Sequence, residues 1–226
     1  MPAYIDLNVH AYPETETPAE DLLRVAKRYG FAQIAITNDD SHVLQECSLD
    51  DLILGVEIQA QTVTELKRKL RQFGGKGIVI AVHGGDEKIN RAAVENPKVD
   101  ILTHPYSEKG ESALSYVLVR FAAENGVAID FNMDALIQSR RGERARILSK
   151  MREQLKLVRK YKAPMILTSH AHSIYDLRAP RELIALAALF GMTGEEALRA
   201  LSETPRGVVA KRWKKEGEVE VLGWRE

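Results

Sequence analysis

The sequence predicts an α/β fold, a single (β/α) barrel of about seven parallel strands of the TIM type. Three observations carry that expectation. Seven short apolar runs alternate with helical patterns along the whole chain, the signature of serial βα units and a parallel sheet buried under helices. No linker, low-complexity stretch or internal repeat divides the 226 residues, so residues 1–226 form one domain. Finally, seven strands within about 170 residues leave little room for anything but a closed or nearly closed sheet.

The strands are expected at Tyr4–Leu7, Gln33–Ile36, Leu52–Val56, Ile78–Val82, Asp100–Leu102, Ala128–Phe131 and Met165–Leu167, each rich in Ile, Leu or Val and followed by polar residues. The first helix has Thr17 as its N-cap, Pro18 in the first helical position, Glu20 completing a capping box and Gly30 closing the end. Later helices are expected at Thr64–Phe73, Glu87–Asn96, Ser112–Asn125, Gly142–Tyr161, Pro180–Phe190 and Gly194–Ser202. In the longest of these, Ile147, Met151, Leu155 and Val158 form one apolar stripe, with most of the bases opposite. Pro205–Lys215 reads as a short amphipathic helix that lays Val208, Val209 and Trp213 on the barrel.

Lys and Arg total 32, as do Asp and Glu, so the formal net charge is zero, a balance that taken alone argues against a free-standing nucleic-acid binder. The zero is an average. Residues 1–60 hold eleven acids and three bases, whereas residues 139–162 hold ten bases (Arg140, Arg141, Arg144, Arg146, Lys150, Arg152, Lys156, Arg159, Lys160 and Lys162) against Glu143 and Glu153. Arg206, Lys211, Arg212, Lys214 and Lys215 form a second cluster. Such asymmetry points to a polyanion or an acidic partner on one side of the molecule. Few rings lie among these bases, which favours contact with the backbone of structured RNA over base stacking. The lone Cys47 excludes an intrachain disulfide and a Cys-rich zinc site. No apolar run is long enough to cross a bilayer and the N-terminus lacks signal-peptide character, so the expectation is a cytoplasmic protein with no membrane partner.

In βα barrels the chemistry gathers where strands run into their following loops. Those positions hold Asn8-Val9-His10, Asn38-Asp39-Asp40, Glu57, His83, Thr103-His104-Pro105, Asn132 with Asp134, and Ser169-His170-Ala171-His172. Five of the six histidines therefore fall on one rim, which suits a divalent metal.

The runs IDLNVH, GFAQIAITNDD, GVEI, ILTHP and TSHAHS, between about residues 4 and 176, resemble the polymerase-and-histidinol-phosphatase (PHP) superfamily of metal-dependent phosphoesterases. The resemblance implies a PHP-like barrel and assigns His10, Glu57, His83, His104 and His172 to metal-ligand positions. This sequence departs from the pattern in three places. Asn8 stands for the first histidine, Asn38-Asp39 for Asp-His, and His170 for an aspartate. An amide is a poorer ligand than an imidazole, and two-metal hydrolysis needs bridging ligands, so the expectation is one residual divalent ion at most and no full catalytic cluster.

The run from Glu143 to Met192 narrows the resemblance. A basic helix before the last strand, then Thr168-Ser169, then Leu177-Arg178-Ala179-Pro180-Arg181-Glu182-Leu183 is similar to the thirty-kilodalton subunit family of ribonuclease P, protein component 3, a degenerate branch of the same superfamily. That resemblance implies a subunit, itself non-catalytic and requiring no cofactor, of the ribonucleoprotein that removes the 5′ leader from precursor tRNA. It implies as partners the ribonuclease P RNA, precursor tRNA and other protein subunits, especially a small ferredoxin-like one. The RNA- or partner-binding set is then Arg140, Arg141, Arg144, Arg146, Lys150, Arg152, Lys156, Arg159, Lys160, Arg178 and Arg181. The alternative is a PHP-type phosphoesterase with an incomplete ligand set, and a pure protein scaffold is a third reading.

Overall fold

The computed structural model describes residues 2–43, 49–105 and 114–213. Its elements are β1 (Tyr4–Val9), α1 (Ala19–Tyr29), β2 (Phe31–Ile36), β3 (Leu52–Ile58), α2 (Val63–Phe73), β4 (Val79–His83), α3 (Glu87–Val94), β5 (Ile101–Thr103), α4 (Tyr116–Asn125), β6 (Ala128–Asn132), α5 (Met133–Gln138), α6 (Arg141–Tyr161), β7 (Met165–Thr168), α7 (Pro180–Ala188), α8 (Gly194–Leu201) and α9 (Glu203–Trp213). The seven strands pair in parallel in chain order. β1 returns to the end of β7 through one bridge, Val9 to Ala171, where the His10 N–H donates to the Ala171 carbonyl at 2.8 Å. The barrel is therefore nearly closed, and its last seam is joined just below the histidine rim.

Alternation along the strands separates two apolar layers. Ile5, Leu7, Ala35, Ile53, Val79, Ala81, Ile101, Ala128 and Ile166 fill the barrel. Residues of opposite parity, such as Ile34, Val56, Ile80, Leu102, Ile129 and Leu167, join the helices in the outer layer, where Phe131 stacks on Phe190 with ring centroids 5.4 Å apart. The register of β1 on β2 shifts between Asp6 and Val9, so Leu7 joins the interior cluster while its neighbour Asn8 also reaches inward, to Thr37 and Glu57.

Most of the expected elements form, within a residue or two of their expected ends. α1 is an exception at its start: Pro18 is the N-cap, in extended conformation and without a side-chain cap. Thr17 is held in the preceding loop, its amide on Thr15 Oγ1 and its carbonyl on the Tyr12 N–H. Gly30 closes the helix at φ 102°, a conformation that favours glycine. α2 starts one residue early because Thr62 accepts the Glu65 N–H. The six-residue α5 was not anticipated and is capped by Asn132, whose side chain accepts the Asp134 N–H. The apolar stripe of α6 buries Met151, Leu155 and Val158 and packs Ile147 against them. Cys47, Ser112, the Trp213 side chain, Lys214 and Lys215 lie outside the described residues.

α9 begins at Glu203 and covers the end of the barrel away from the rim. Val208 and Val209 join the interior cluster, as expected for this helix. Arg212 does not belong to an exposed basic cluster: it is buried and bonded to the buried Asp100 carboxylate and the Lys98 carbonyl. Asp100 also accepts the Ile80 N–H at 2.9 Å. Burial pushes the Asp100 carboxyl up from its ordinary value, and Arg212 opposes that rise. Replacing Arg212 by Met removes the opposing charge, and urea unfolding at pH 7 is expected to show a loss of about 3 kcal/mol. The loss shrinks towards pH 4, where Asp100 in the variant takes up a proton; a pH-independent difference would contradict the pairing.

Candidate functional site

The C-terminal ends of the strands bring Asn8, His10, Glu57, His83, His104, Asn132, His170 and His172 together. All five residues expected at metal-ligand positions lie on this rim. His10 stacks on His172 at 4.4 Å and meets His170 edge-on at 4.5 Å, while His104 lies 4.6 Å from His170 and 4.7 Å from His83, between ring centroids. His104 and His170, each the first or second residue after its strand, adopt φ 42° and 51°. That left-handed conformation is costly for a non-glycine residue, and here it occurs at the crowded centre of the rim.

Glu57 is the hub. It is 1% exposed, and its Oε1 lies 2.6 Å from His83 Nδ1 and accepts the Thr103 hydroxyl at 3.1 Å. Its Oε2 accepts the Asn8 amide at 3.0 Å and lies 3.8 Å from both His10 Nε2 and His170 Nε2. Burial favours the neutral acid, but the His83 hydrogen bond and the fields of His170, His10 and His104 hold this carboxyl well below the usual range. His104 and His170 are pushed the other way, to about 4 and about 2. Burial is the main cause, opposed by Glu57 and reinforced by neighbouring imidazoles. Both rings are therefore neutral at physiological pH. His104 Nε2 faces the Asn132 side-chain amide at 3.0 Å and His170 Nε2 at 3.4 Å, so an ion there would displace the Asn132 contact.

The donor set fits one imidazole-preferring ion. His10, His170 and His172 present ligand atoms within 4.8 Å of one another, and so do Glu57, His104 and His170. His170 belongs to both groups, and a neutral imidazole has a single lone pair, so the two groups are alternatives for one ion. His170 Nδ1 is buried without a hydrogen-bond partner among the described residues. His10 is less available than the sequence suggests, because Nδ1 faces Glu14 Oε2 at 2.8 Å and Nε2 faces Asn8 Oδ1 at 3.0 Å. Asp39 is turned to Ser41 and His42. His170, which replaces the pattern's aspartate and was expected to be able to coordinate a residual ion together with Asp39, is the central ring.

The expected basic set divides into two groups. Arg144 holds the Ser139 and Ile137 carbonyls at the α5–α6 turn, Arg146 bonds to Gly142 within its own helix, and Arg152 reaches the Leu189 carbonyl at the end of α7. Arg159 forks onto Glu196 at 2.6 and 2.7 Å and also bonds the Gly191 carbonyl, so it anchors α8. Arg178 is turned onto the Tyr175 and Leu177 carbonyls. Arg140, Arg141, Lys156 and Arg181 are exposed and take no such partner among the described residues, while Lys160 lies over the Tyr161 ring.

A nearly closed sheet of seven parallel strands under helices defines the class: a TIM-like α/β barrel, with histidines and a carboxylate on its rim. Histidinol phosphate phosphatase from Lactococcus lactis, solved with zinc, L-histidinol and phosphate, shares the fold at TM-score 0.53 and 11% identity, over 92% of this chain and 93% of that one. The family is more particular. The family model for RNase P subunit p30 matches residues 3–216, and the chain belongs to that family. It is 49% identical over 217 residues to ribonuclease P protein component 3 of Methanococcoides burtonii, covering 93% of this chain and 88% of that protein. A chain in the cryo-EM structure of archaeal ribonuclease P with mature tRNA matches at TM-score 0.78 and 26% identity, over 98% and 99% of the two chains.

Beneath the rim lie two more buried carboxyls. Burial raises Asp130 well above its ordinary value against the Thr168 hydroxyl bond, and the Asp6 and Glu57 charges add to the rise. Burial lifts Asp6 from 3.8 to about 6 although it accepts the Asn8 and Ser169 N–H groups. The folded state thus holds the Asp6 proton more tightly than the unfolded chain does. Its contribution to stability is fully present below about pH 4 and is lost as pH rises through about 6. Urea unfolding of the wild type and Asp6→Asn is expected to give a stability difference that moves by about 3 kcal/mol against the wild type between pH 3.5 and 7. A flat difference would rule out the buried proton.

Proposed function

We propose that this chain acts as a protein subunit of ribonuclease P and supports the particle's RNA through the exposed face of α6, without itself cleaving RNA. The match of the family model to residues 3–216 carries the reading, and the cations left unpaired on α6 give it a physical means. Arg140 is the N-cap of the helix and Arg141 its first residue, while Lys156 lies on the side away from the apolar stripe. Guanidinium groups fork onto phosphates, and each phosphate neutralised releases counterions, so such contacts hold an RNA fold without reading its sequence. In this reading the RNA carries the removal of the 5′ leader from precursor tRNA, and faces away from α6 meet other protein subunits, a small ferredoxin-like one among them.

The triple variant Arg140→Gln, Arg141→Gln, Lys156→Gln is expected to weaken binding of ribonuclease P RNA about tenfold or more at 0.1 M KCl. It also flattens the slope of log affinity against log salt by about 0.7–0.9 for each phosphate that is no longer neutralised. Omitting the chain from a reconstituted particle should slow cleavage of precursor tRNA. Unchanged cleavage would overturn the reading.

The rim favours a second, compatible reading, in which it holds a single divalent ion of the zinc type through His104, His170 and Glu57. Support comes from the neutral rings of His104 and His170 and from ligand atoms of His104, His170 and Glu57 that lie within 4.8 Å of one another. Such an ion, when bound, polarises a phosphate oxygen; the protein's own part is to hold the donors and bury Glu57 beneath them. Purification without chelators should yield up to one equivalent of zinc, lost in His170→Ala, with no phosphatase activity sensitive to His104→Ala. Two or more equivalents together with such activity would favour the phosphoesterase alternative.

A further inference from the structure

We infer that the cleft between the end of α1 and the start of α7 is a second RNA-contact site, taking one nucleotide with its phosphate. The inference rests on the RNA-subunit reading above and adds a site away from α6. The cleft measures about 340 Å³ and is lined by Tyr4, Arg28, Tyr29, Pro180, Arg181 and Ile184. Its place at the first residue of β1 and the last of α1 sets it apart from the histidine rim, which gathers at the opposite ends of the strands.

Its chemistry is that of a nucleotide site. Arg28 and Arg181 are exposed, and neither has a carboxylate or carbonyl partner among the described residues. The nearby acid, Glu182, is turned onto the Ala179 N–H at 2.8 Å and neutralises neither arginine. Two unpaired guanidinium groups converging on one concavity form a bidentate receptor for a phosphodiester. Tyr29 is 44% exposed beside Arg28 and offers a ring face, while Tyr4, Pro180 and Ile184 supply apolar walls for a base or ribose. An acidic peptide would satisfy the arginines but has less use for an open aromatic face beside them.

The cleft is linked to α6 through α7. Arg152 of α6 holds the Leu189 carbonyl at the C-terminal end of α7, and the cleft is built on the first turn of the same helix. Nine helical residues span about 14 Å, which is the length of α7 between the cleft and the Arg152 contact. Arg181 was expected among the binding residues from the sequence. Arg28 and Tyr29, which complete the site, lie some 150 residues earlier and show no motif.

The test uses the full chain and a fluorescein-labelled transcript of ribonuclease P RNA, with affinity measured from 0.05 to 0.5 M KCl and folding checked by circular dichroism. Arg28→Gln with Arg181→Gln is expected to raise Kd about tenfold at 0.1 M KCl and to flatten the salt slope by about 1–2. Tyr29→Ala is expected to raise Kd about fivefold or more with the slope unchanged, and Tyr29→Phe to restore wild-type affinity, as stacking requires. Ultraviolet crosslinking should mark Tyr29. Wild-type affinity and slope in the arginine pair, with the α6 triple variant still impaired, would overturn the cleft site and leave the subunit reading standing. Intact RNA binding with lost association of a protein subunit would assign the cleft to protein and overturn the proposal. A wild-type chain that binds no RNA would defeat the underlying reading.

Discussion

Glu57 sits at the centre of the strand ends with almost no solvent contact, and its negative charge has to be balanced within the barrel mouth. Thr103, Asn8 and His83 donate to it directly, and His10 and His170 stand just beyond hydrogen-bond range. Much else at this end follows from that requirement. Four rings crowd around one carboxylate, and two of them, His104 and His170, have left-handed backbone. Burial then keeps His104 and His170 neutral, since several imidazolium charges cannot share so small a space. One anion and several neutral donors is an arrangement suited to holding a cation.

The rest of the charge is disposed on a different principle. The acids of the first sixty residues are largely engaged locally: Asp21 with Arg24, Asp51 with Lys27, Asp40 with Lys69, Glu14 with His10. The bases of α6 are engaged unevenly. Arg144, Arg152 and Arg159 serve as clamps that fix α6 to the turn before it and to α7 and α8, while Arg140, Arg141 and Lys156 are left outward. A formal net charge of zero therefore coexists with a basic helix, because the two signs are segregated along the chain, acids in residues 1–60 and bases in residues 139–162.

How far the sequence could be read follows from the range of each interaction. Strands and most helices were legible because apolar periodicity is local, and the Gly30 stop was legible because a left-handed closing residue nearly demands glycine. The Thr17 cap failed because loop contacts from Thr15 and Tyr12 claimed that residue first. α5 was too short to show a period. At the rim, the positions of the histidines were legible as strand ends, but the centrality of His170 depends on distances across the barrel mouth. The clamping role of Arg159 is likewise invisible in sequence, since Glu196 lies 37 residues away. So is the burial of Arg212, whose carboxylate partner is 112 residues distant.

Asn8 explains how this rim persists in a chain whose proposed role requires no ion. An imidazole there would offer a lone pair to a metal; the amide instead donates to Glu57 while its oxygen takes the Thr37 hydroxyl and faces His10 Nε2. One side chain thus supplies the polar satisfaction that a metal centre elsewhere obtains from its ion. Hydrogen bonds from Asn8, Thr103 and His83 hold the Glu57 carboxylate at the rim. Any ion must then compete with contacts already made, those of Asn8 and Glu14 on the His10 side and those of Asn132 on His104 and of Thr103, Asn8 and His83 on Glu57. The network satisfies Glu57 through Asn8, Thr103 and His83 but leaves His170 Nδ1 without a partner among the described residues, so the rim keeps a donor that its own hydrogen bonds do not use.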